Sequence, residues 1–325
     1  MINRFNKLKE WMNKDDINLC MEENSINNGI YTSIDIDMED VIMSIPHSYI
    51  IEYSEIKNER LTELLFEKNY HFVLFLYLEM NKVNSFWKPY INMFPSDVNN
   101  HIFYYSEKDI QLLNMTSFKY TSNHNLRLKE IKNNIKIMYE FLSKTSQLSS
   151  NHINKYESFY NHMLYLIIIV RSRLFEYTKN NELQCGLVPY AELLNHSNNE
   201  NALWYFNNDK NQFEVFALEE ITLGEEICLS YGVKNNITLL SNYGFTLMNN
   251  QLSNLCIRHP GTNKLVTYTL KDSYLSITMD KDEVKLRKLL KKIYTSHRQR
   301  IWKIKNENIK QIFKDEINIL KRLLY

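Results

Sequence analysis

The sequence predicts a mixed α+β protein in which two strand-rich segments bracket a helical block. Three observations support this prediction. Apolar and β-branched residues alternate over residues 25–51, helical spacing dominates from residue 61 to residue 178, and strand signals return after residue 180. Because neither strand-rich segment has enough strands for a stable sheet, we expect the two segments to pair in space and the helices to form an insert.

The individual elements follow from local pattern. The alternation in the first segment, together with Gly29, predicts a small β-meander. In the helical block, Pro89 and Pro95 predict a loop, and two longer helices are predicted over residues 124–146 and 152–178. The second of these helices has an apolar face made of Phe159, Met163, Leu166, Val170, Leu174 and Tyr177.

Strands are predicted again in the second strand-rich segment, with polar turns between them. They are LVPYAELL (187–194), NALWYF (201–206), QFEVFALEEI (212–221) and EEICLSYG (225–232). Residues 282–325 return to helical spacing and predict a small C-terminal helical unit.

The composition argues against two classes of partner. The chain has 39 Lys and Arg against 38 Asp and Glu, a net charge of +1, so no broad positive field is expected to attract nucleic acid. The longest apolar runs are far shorter than the ~20 residues that a membrane-spanning helix needs. We therefore expect neither a nucleic-acid partner nor a membrane partner.

The cysteines predict a reducing environment. Cys20, Cys185, Cys228 and Cys256 lie far apart, without a CxxC pair or a Cys/His pattern at zinc spacing. No export signal follows the amphipathic N-terminal stretch. We expect an intracellular, cytoplasmic protein with reduced thiols and no metal site.

A polar cluster within an apolar segment is the strongest indication of a functional site. Asn195, His196 and Ser197 directly follow the apolar run LVPYAELL. Burying a polar group without a partner costs about 1–3 kcal/mol, so these side chains are expected to meet polar groups. The sequence has no GxGxxG after a strand, no GxxxxGK[ST], no HExxH and no GxSxG, which argues against nucleotide-loop, zincin and hydrolase-elbow sites.

Four segments together resemble the SET-domain protein methyltransferases. Within that family the chain is most similar to the branch that contains the Rubisco large-subunit lysine methyltransferase and the actin-histidine methyltransferase. The matching segments are NNGIYTSIDIDMEDVIMSIP (27–46), SFWKPYINMFP (85–95), IVRSRLF (169–175) and residues 187–245, in the family's order and spacing. The resemblance covers roughly residues 25–250. It implies a SET β-fold interrupted by a helical insert and followed by a short C-terminal helical domain.

The resemblance also implies a domain division and a function. A SET domain would span residues 1–250 with its helical insert at about 60–160, and residues 251–325 would form a shortened helical domain like the family's substrate-binding domain. The implied activity is S-adenosylmethionine-dependent N-methylation of a lysine side chain in a non-histone protein. Such an enzyme mainly aligns a neutral nucleophile with the methyl carbon and excludes water. The implied cofactor is S-adenosylmethionine, and the implied partner is a lysine-bearing protein segment.

The cofactor site implied by the family comprises Asn28, Gly29, Ile30, Arg173, Asn195, His196 and Phe245. Arg173 would bind the cofactor's carboxylate through its planar donor fork. Asn195 and His196 would bind its amino end and adenine, and Phe245 would stack on the adenine. Gly29 would let the backbone approach closely. The family's first glycine of this turn is replaced by Asn27, a residue that tolerates left-handed geometry.

Tyr231 is the catalytic residue that the resemblance implies. Its hydroxyl would orient the acceptor nitrogen at the reacting centre. The pKa of a free lysine is about 10.4, so a water-poor aromatic pocket that disfavours the ammonium form would help to supply the neutral amine. The implied substrate-binding residues are Phe175, Ala191, Glu192, Tyr205 and Tyr243, with Trp204 as a further aromatic wall.

Two positions bear on the acceptor. In the actin-histidine enzymes an Asn stands two residues after the cofactor-binding Arg, and a Trp precedes the acidic residue before the Asn-His pair. Phe175 and Ala191 occupy these positions here and match the lysine-methylating branch, while Glu192 stands where the family often has Asp. An aromatic wall without an amide suits the aliphatic stem of lysine. Two alternatives stay open: a protein-histidine methyltransferase, and a catalytically inactive SET-like protein-binding module.

Overall fold

The chain forms two compact units. One comprises Met1–Ser96 and Lys129–Gly232, and the other comprises Asp97–Leu128 and Val233–Tyr325. The predicted functional boundary after residue 250 stays a prediction. The computed structural model describes residues 2–12, 19–20, 23–24, 27–57, 59–65, 67–269 and 281–325, so residues 25–26 of the first predicted strand segment lie outside the described residues.

Helices occupy most of the block between the two strand-rich segments and most of the C-terminal part. This order confirms the predicted mixed α+β class with a helical insert. The helices are α1 (Ile2–Met12), α2 (Tyr53–Ile56), α3 (Glu59–Thr62), α4 (Asn69–Met80), α5 (Lys88–Ile91), α6 (Glu107–Leu113), α7 (Phe118–Thr121), α8 (His124–Lys144), α9 (Tyr156–Arg173), α10 (Asn236–Tyr243), α11 (Lys281–Arg300) and α12 (Glu307–Leu324).

The strands are short and form small sheets. The order is β10-β11-β5 in one three-stranded sheet and β6-β8-β7 in another, and the pairs are β1-β4, β2-β3, β9-β12 and β13-β14. The strands are β1 (Leu19–Cys20), β2 (Glu23–Asn24), β3 (Asn27–Asn28), β4 (Tyr31–Thr32), β5 (Val41–Pro46), β6 (Ile51–Glu52), β7 (Leu174–Lys179), β8 (Glu182–Leu187), β9 (Asn195–His196), β10 (Ala202–Asn207), β11 (Gln212–Ala217), β12 (Cys228–Leu229), β13 (Asn254–Arg258) and β14 (Leu265–Thr269).

The two strand-rich segments pair with each other, as predicted. β5 is antiparallel to β11 with Ile45 opposite Phe213, and β6 is antiparallel to β8 with Ile51 opposite Leu187. All four of these side chains are buried, so the pairing also builds the core of the first unit. The predicted meander over residues 25–51 is wrong, because β4, β5 and β6 pair with strands outside that segment.

The helix predicted to continue to residue 178 ends at Arg173. The chain continues as β7 and reverses into β8 through a two-residue turn at Asn180 and Asn181, whose φ angles are 52° and 64°. Hairpin turns of this length favour positive φ at both central residues, and Asn adopts it more readily than most residues. Tyr177 fits the helical spacing by chance; in β7 it alternates with exposed residues and is buried beside Phe175.

The described residues of the second unit include two apolar clusters, and α12 contributes to both through the stripe of Leu, Ile and Phe residues seen in its sequence. One cluster contains Ile102, Leu113, Phe118, Ile237, Leu240, Ile304, Ile309, Ile312 and Phe313. The other contains Leu255, Ile257, Leu286, Leu290, Ile319, Leu320 and Leu323. Burial of this stripe explains why the C-terminal residues form a folded helix pair.

Asn236, the first residue of α10, uses its whole hydrogen-bonding capacity inside the second unit. Its Nδ2 donates to the carbonyl of Leu247 at 2.8 Å and to Oδ2 of Asp315 at 2.6 Å. Its Oδ1 accepts from the N–H of Leu247 at 2.9 Å and from Nδ2 of Asn250 at 3.1 Å. The residue is buried, and burial raises the pKa of Asp315 above its ordinary value.

Replacing Asn236 by Ala should lower the free energy of unfolding by about 2–4 kcal/mol, because Asp315 and the backbone at Leu247 would lose buried partners. Urea denaturation measures this change. Asn242→Ala on the same helix removes one hydrogen bond, in which Asn242 Oδ1 accepts from Nη1 of Arg127 at 3.0 Å in a half-buried setting. That control should cost less than about 1.5 kcal/mol, and equal losses in the two variants would contradict the argument.

Candidate active site

Two short parallel strands hold the polar cluster. β9 pairs with β12, so that Asn195 lies opposite Cys228 and His196 lies opposite Leu229. The pairing continues beyond β9, where the N–H of Ser197 donates to the carbonyl of Leu229 at 3.0 Å. The polar residues that follow the apolar run are therefore held by backbone hydrogen bonds to a strand more than thirty positions later.

Tyr231 follows this pairing and is fixed to His196. Its hydroxyl donates to the carbonyl of Leu194 at 2.7 Å, its N–H donates to Nδ1 of His196 at 3.1 Å, and the two rings stack with centroids 5.1 Å apart. The carbonyl of Leu229, which accepts from the N–H of Ser197, lies farther from the same Nδ1, at 3.3 Å. The shorter contact favours Nδ1 as the acceptor, which puts the proton of a neutral imidazole on Nε2.

The predicted glycine turn lies beside the same strand. The N–H of Ile227 donates to the carbonyl of Ile30 at 2.8 Å, and Tyr31 forms a bridge with Glu226. Gly29 and Ile30 are buried, and Asn28 precedes them as the last residue of β3. Backbone pairing therefore joins Ile30 and Tyr31, directly after the predicted turn, to the segment that leads to Tyr231.

Glu226 is a residue of this site that sequence reasoning missed. Its Oε1 accepts from Nδ2 of Asn195 at 2.8 Å. A Cβ at Gly29 would lie 2.2 Å from the same oxygen and 3.3 Å from Asn195 Nδ2. The available signal was the pair Glu225 and Glu226, in which strand alternation turns only one carboxylate inward.

Arg173 ends α9 and lies against a buried carboxylate. Its Nε is 3.8 Å from Oε1 of Glu192, and Tyr90 donates its hydroxyl to Oε2 of Glu192 at 2.6 Å. The side chain of Glu192 is 1% exposed and that of Arg173 is 20% exposed, so Arg173 is the side chain of this pair that solvent can reach. Burial raises the pKa of Glu192 to about 7, although Arg173 and Tyr90 act to lower it.

A sharp turn connects β8 to this carboxylate, so the predicted strand over 187–194 is wrong beyond its first residue. Tyr190 has φ 67° and ψ −51°, and the N–H of Ala191 donates to the carbonyl of Pro189 at 2.9 Å. This is a γ-turn with positive φ, a conformation that costs a bulky residue about 1–3 kcal/mol. A one-turn 3₁₀ helix over Ala191–Leu193 then connects this turn to β9. In the last predicted strand, EEICLSYG, only the two residues of β12 form a strand, preceded by the Glu226 bridge.

The residues predicted to contact substrate are divided between faces of the β10-β11 sheet. Phe175 is buried, and its ring packs edge-on against Trp204 and Phe213, each at a centroid distance of 5.4 Å. Tyr205 lies on the opposite face of β10, is exposed, and donates its hydroxyl to Glu214. The structure brings Phe175 and Trp204 together and does not bring Tyr205 to them. Ala191 is fully buried beside Glu192.

Tyr243 and Phe245 belong to the second unit. Tyr243 ends α10, Gly244 caps the helix with φ 81°, and the rings of Tyr243 and Phe245 lie 6.1 Å apart. Burial raises the pKa of Tyr243. The contribution of both aromatic residues to the site stays a prediction.

The described residues offer neither a metal site nor a membrane-spanning helix. Within residues 2–12, 19–20, 23–24, 27–57, 59–65, 67–269 and 281–325, no group of three or more His, Cys, Asp or Glu side chains is arranged to hold a metal ion. In those same ranges, every helix is too short or too polar to cross a bilayer.

The family model described as "SET domain" matches residues 27–232. Among curated proteins, the chain is similar to the actin-histidine N-methyltransferases of Mus musculus and Homo sapiens, each 24% identical over 261 residues. Each alignment covers 76% of this chain and 42% of the relative, so the chain spans less than half the length of the curated relatives it matches.

Solved structures are similar to the whole chain. The SET domain of LSMT bound to lysine and AdoHcy has a TM-score of 0.67 at 17% identity, over 100% of this chain and 90% of that one. Rubisco LSMT bound to AdoMet has a TM-score of 0.62 at 16% identity, over 99% and 90% of the two chains. At this level of identity the similarity establishes a common fold.

Glu192 should make stability depend on pH. Its folded-state pKa is raised from 4.5 to about 7, so its contribution to stability is complete below pH 4.5 and is lost as the pH rises through 7. From pH 5 to pH 8 the free energy of unfolding of the wild type should fall by about 2 kcal/mol relative to that of Glu192→Gln. Urea denaturation at the two pH values measures the difference.

Glu67→Gln is the matched control for this measurement, because it removes a half-exposed carboxylate that lies 3.6 Å from the neighbouring Arg171. The assignment to Glu192 would be refuted if the difference in free energy of unfolding between the wild type and Glu192→Gln stayed constant with pH. It would also be refuted if Glu67→Gln showed the same pH dependence.

Proposed function

The chain belongs to the SET-domain family, and on that premise we propose that it is an S-adenosylmethionine-dependent protein N-methyltransferase that acts on a lysine side chain of a non-histone protein. The observation that supports this most strongly is the junction of three short segments. Backbone pairing brings the turn that leads through Ile30 to Tyr31, β9 and the segment around β12 that leads to Tyr231 to one place. These are the segments that carry most of the residues expected to bind the cofactor and orient the acceptor.

The residues fit S-adenosylmethionine by their chemistry. The guanidinium of Arg173, on a partly exposed side chain, suits a carboxylate, and the buried Gly29 leaves backbone where a side chain would not fit. Asn195 and His196 offer polar atoms at the end of an otherwise apolar segment. We propose that the cofactor is held by Asn28, Gly29, Ile30, Arg173, Asn195, His196 and Phe245.

When bound, S-adenosylmethionine would supply a sulfonium methyl group to a neutral acceptor nitrogen; the sulfur would keep the electron pair of the broken bond, and the methylated nitrogen would release its proton to solvent. The protein's part is orientation, and Tyr231 is the proposed catalytic residue. Its phenol donates its hydrogen to the Leu194 carbonyl and so acts toward an incoming amine as an acceptor. Accepting an amine N–H would fix the direction of the nitrogen lone pair.

A lysine acceptor is supported by the residues around Arg173. Phe175, two positions after it, is an aromatic ring packed against Trp204, and Ala191 adds only a methyl group. Neither position offers an amide to bind an imidazole, whereas apolar walls suit a lysine stem. We propose that Phe175, Ala191, Glu192, Tyr205 and Tyr243 contribute to the substrate site.

A histidine acceptor is the second candidate. It is favoured by the names of the curated relatives, which are actin-histidine N-methyltransferases. Both candidates share the cofactor and the role of Tyr231 and differ in the acceptor nitrogen. The free cysteines Cys185, Cys228 and Cys256 support the proposal that the protein itself is intracellular in either case.

Tyr231→Phe should lower methyl transfer by about 100-fold or more, because it removes the hydroxyl that orients the acceptor. The measurement is transfer of labelled methyl from S-adenosylmethionine to proteins of a cell lysate. Tyr165→Phe is the matched control, since it also removes a hydroxyl that donates to a backbone carbonyl, that of Pro95 at 3.1 Å. Equal activity in the two variants would contradict the role of Tyr231.

The same labelled product should identify the acceptor. After complete hydrolysis, the label is expected in methylated lysine, because the wall at Phe175 lacks an amide. Chromatography against methyl-lysine and methylhistidine standards measures the distribution. Label in methylhistidine would overturn the lysine proposal and establish the second candidate.

A further inference from the structure

The orientation of the Asn195 amide is constrained by Glu226. Its Nδ2 donates to Oε1 of Glu226 at 2.8 Å. A carboxylate only accepts hydrogen bonds, so turning the amide over would set its carbonyl oxygen against a second acceptor. The Asn195 side chain is therefore held with Nδ2 toward Glu226 and Oδ1 facing away from it.

Glu226 is itself held firmly. Its carbonyl accepts from Nδ2 of the buried Asn201 at 2.9 Å, and Oδ1 of Asn201 accepts from the N–H of Cys228 at 2.8 Å. On its other side, Tyr31 forms a bridge with Glu226. The carboxylate then occupies the space that a Cβ at Gly29 would need, 2.2 Å from Oε1. The Asn201 side chain on one side and the Tyr31 bridge on the other thus fix the backbone that carries this carboxylate.

We infer that Glu226 is a positioning residue for the cofactor's amino group: it orients Asn195 so that Oδ1 is presented to an ammonium group. This inference rests on the proposed function. An ammonium group only donates hydrogen bonds, so it needs an acceptor such as Oδ1, and the nearby carboxylate adds a favourable charge. In Glu226→Gln the new amide can donate to Asn195, which removes both the charge and the fixed orientation.

The experiment compares two probes that differ in the amino-acid portion. S-adenosylhomocysteine carries the ammonium group, and 5′-methylthioadenosine lacks it. By calorimetry, Glu226→Gln should raise the Kd for S-adenosylhomocysteine about tenfold and change the Kd for 5′-methylthioadenosine by less than about twofold. Glu225→Gln, which alters the neighbouring exposed carboxylate that accepts from Thr222, should change neither Kd.

Gly29→Ala tests the same contact from the other side, because its Cβ would displace the Glu226 carboxylate from Asn195. It should weaken S-adenosylhomocysteine binding. The double variant, Gly29→Ala with Glu226→Gln, should have the same Kd for S-adenosylhomocysteine as the single variant that binds it more weakly, or a lower one. Thermal unfolding of each variant checks that the fold is kept.

Three results would overturn the inference. Wild-type affinity for S-adenosylhomocysteine in folded Glu226→Gln would exclude a positioning role. Equal losses for both probes would indicate a general structural effect in place of amide orientation. Failure of the folded wild type to bind S-adenosylhomocysteine would overturn the proposed function itself, and it is distinguished from the other two results because it appears before any variant is made.

Discussion

The parallel pairing of β9 with β12 is the interaction on which the rest of the site depends. Two residues from each strand are enough to set Asn195 beside Glu226 and His196 beside Tyr231, because parallel strands keep a fixed register. The pairing also positions the residues after β12, since the Tyr231 hydroxyl donates to the carbonyl of Leu194, the residue just before β9. Loss of this short ladder would separate the groups proposed to bind the cofactor from the group proposed to orient the acceptor.

Several features of the site are unfavourable for stability when taken alone. Glu192 is a carboxylate inside the protein, and Tyr190 has a backbone conformation that bulky residues avoid. Both lie in the turn that connects β8 to β9, and Glu192 is also the residue that lies against Arg173. Such local costs are typical of functional sites, where position is held by the surrounding structure. The buried side chain of Tyr190 supplies part of that support.

Much of this arrangement could be predicted from the sequence, and the failures have physical causes. The SET fold and the pairing of the two strand-rich segments follow from the order of the motif segments, and the family match supports the fold. Tyr177 was assigned to a helix because apolar spacing cannot reveal a two-residue Asn turn that forces a hairpin. The turn at Tyr190 contradicts local preference, so no propensity predicts it. Glu226 was missed because its role depends on Gly29 and Asn195, which are distant in sequence.

Direct binding of S-adenosylmethionine tests the central claim, that these segments form a cofactor site. Calorimetry should detect binding to the wild type, and Arg173→Ala should weaken it at least about tenfold, because a charge-assisted contact to the carboxylate is lost. Arg171→Ala is the control on the same helix turn, where the side chain lies 3.6 Å from Glu67, and it should bind like the wild type. A well-folded wild type that does not bind S-adenosylmethionine, or equal binding by the two variants, would contradict the account.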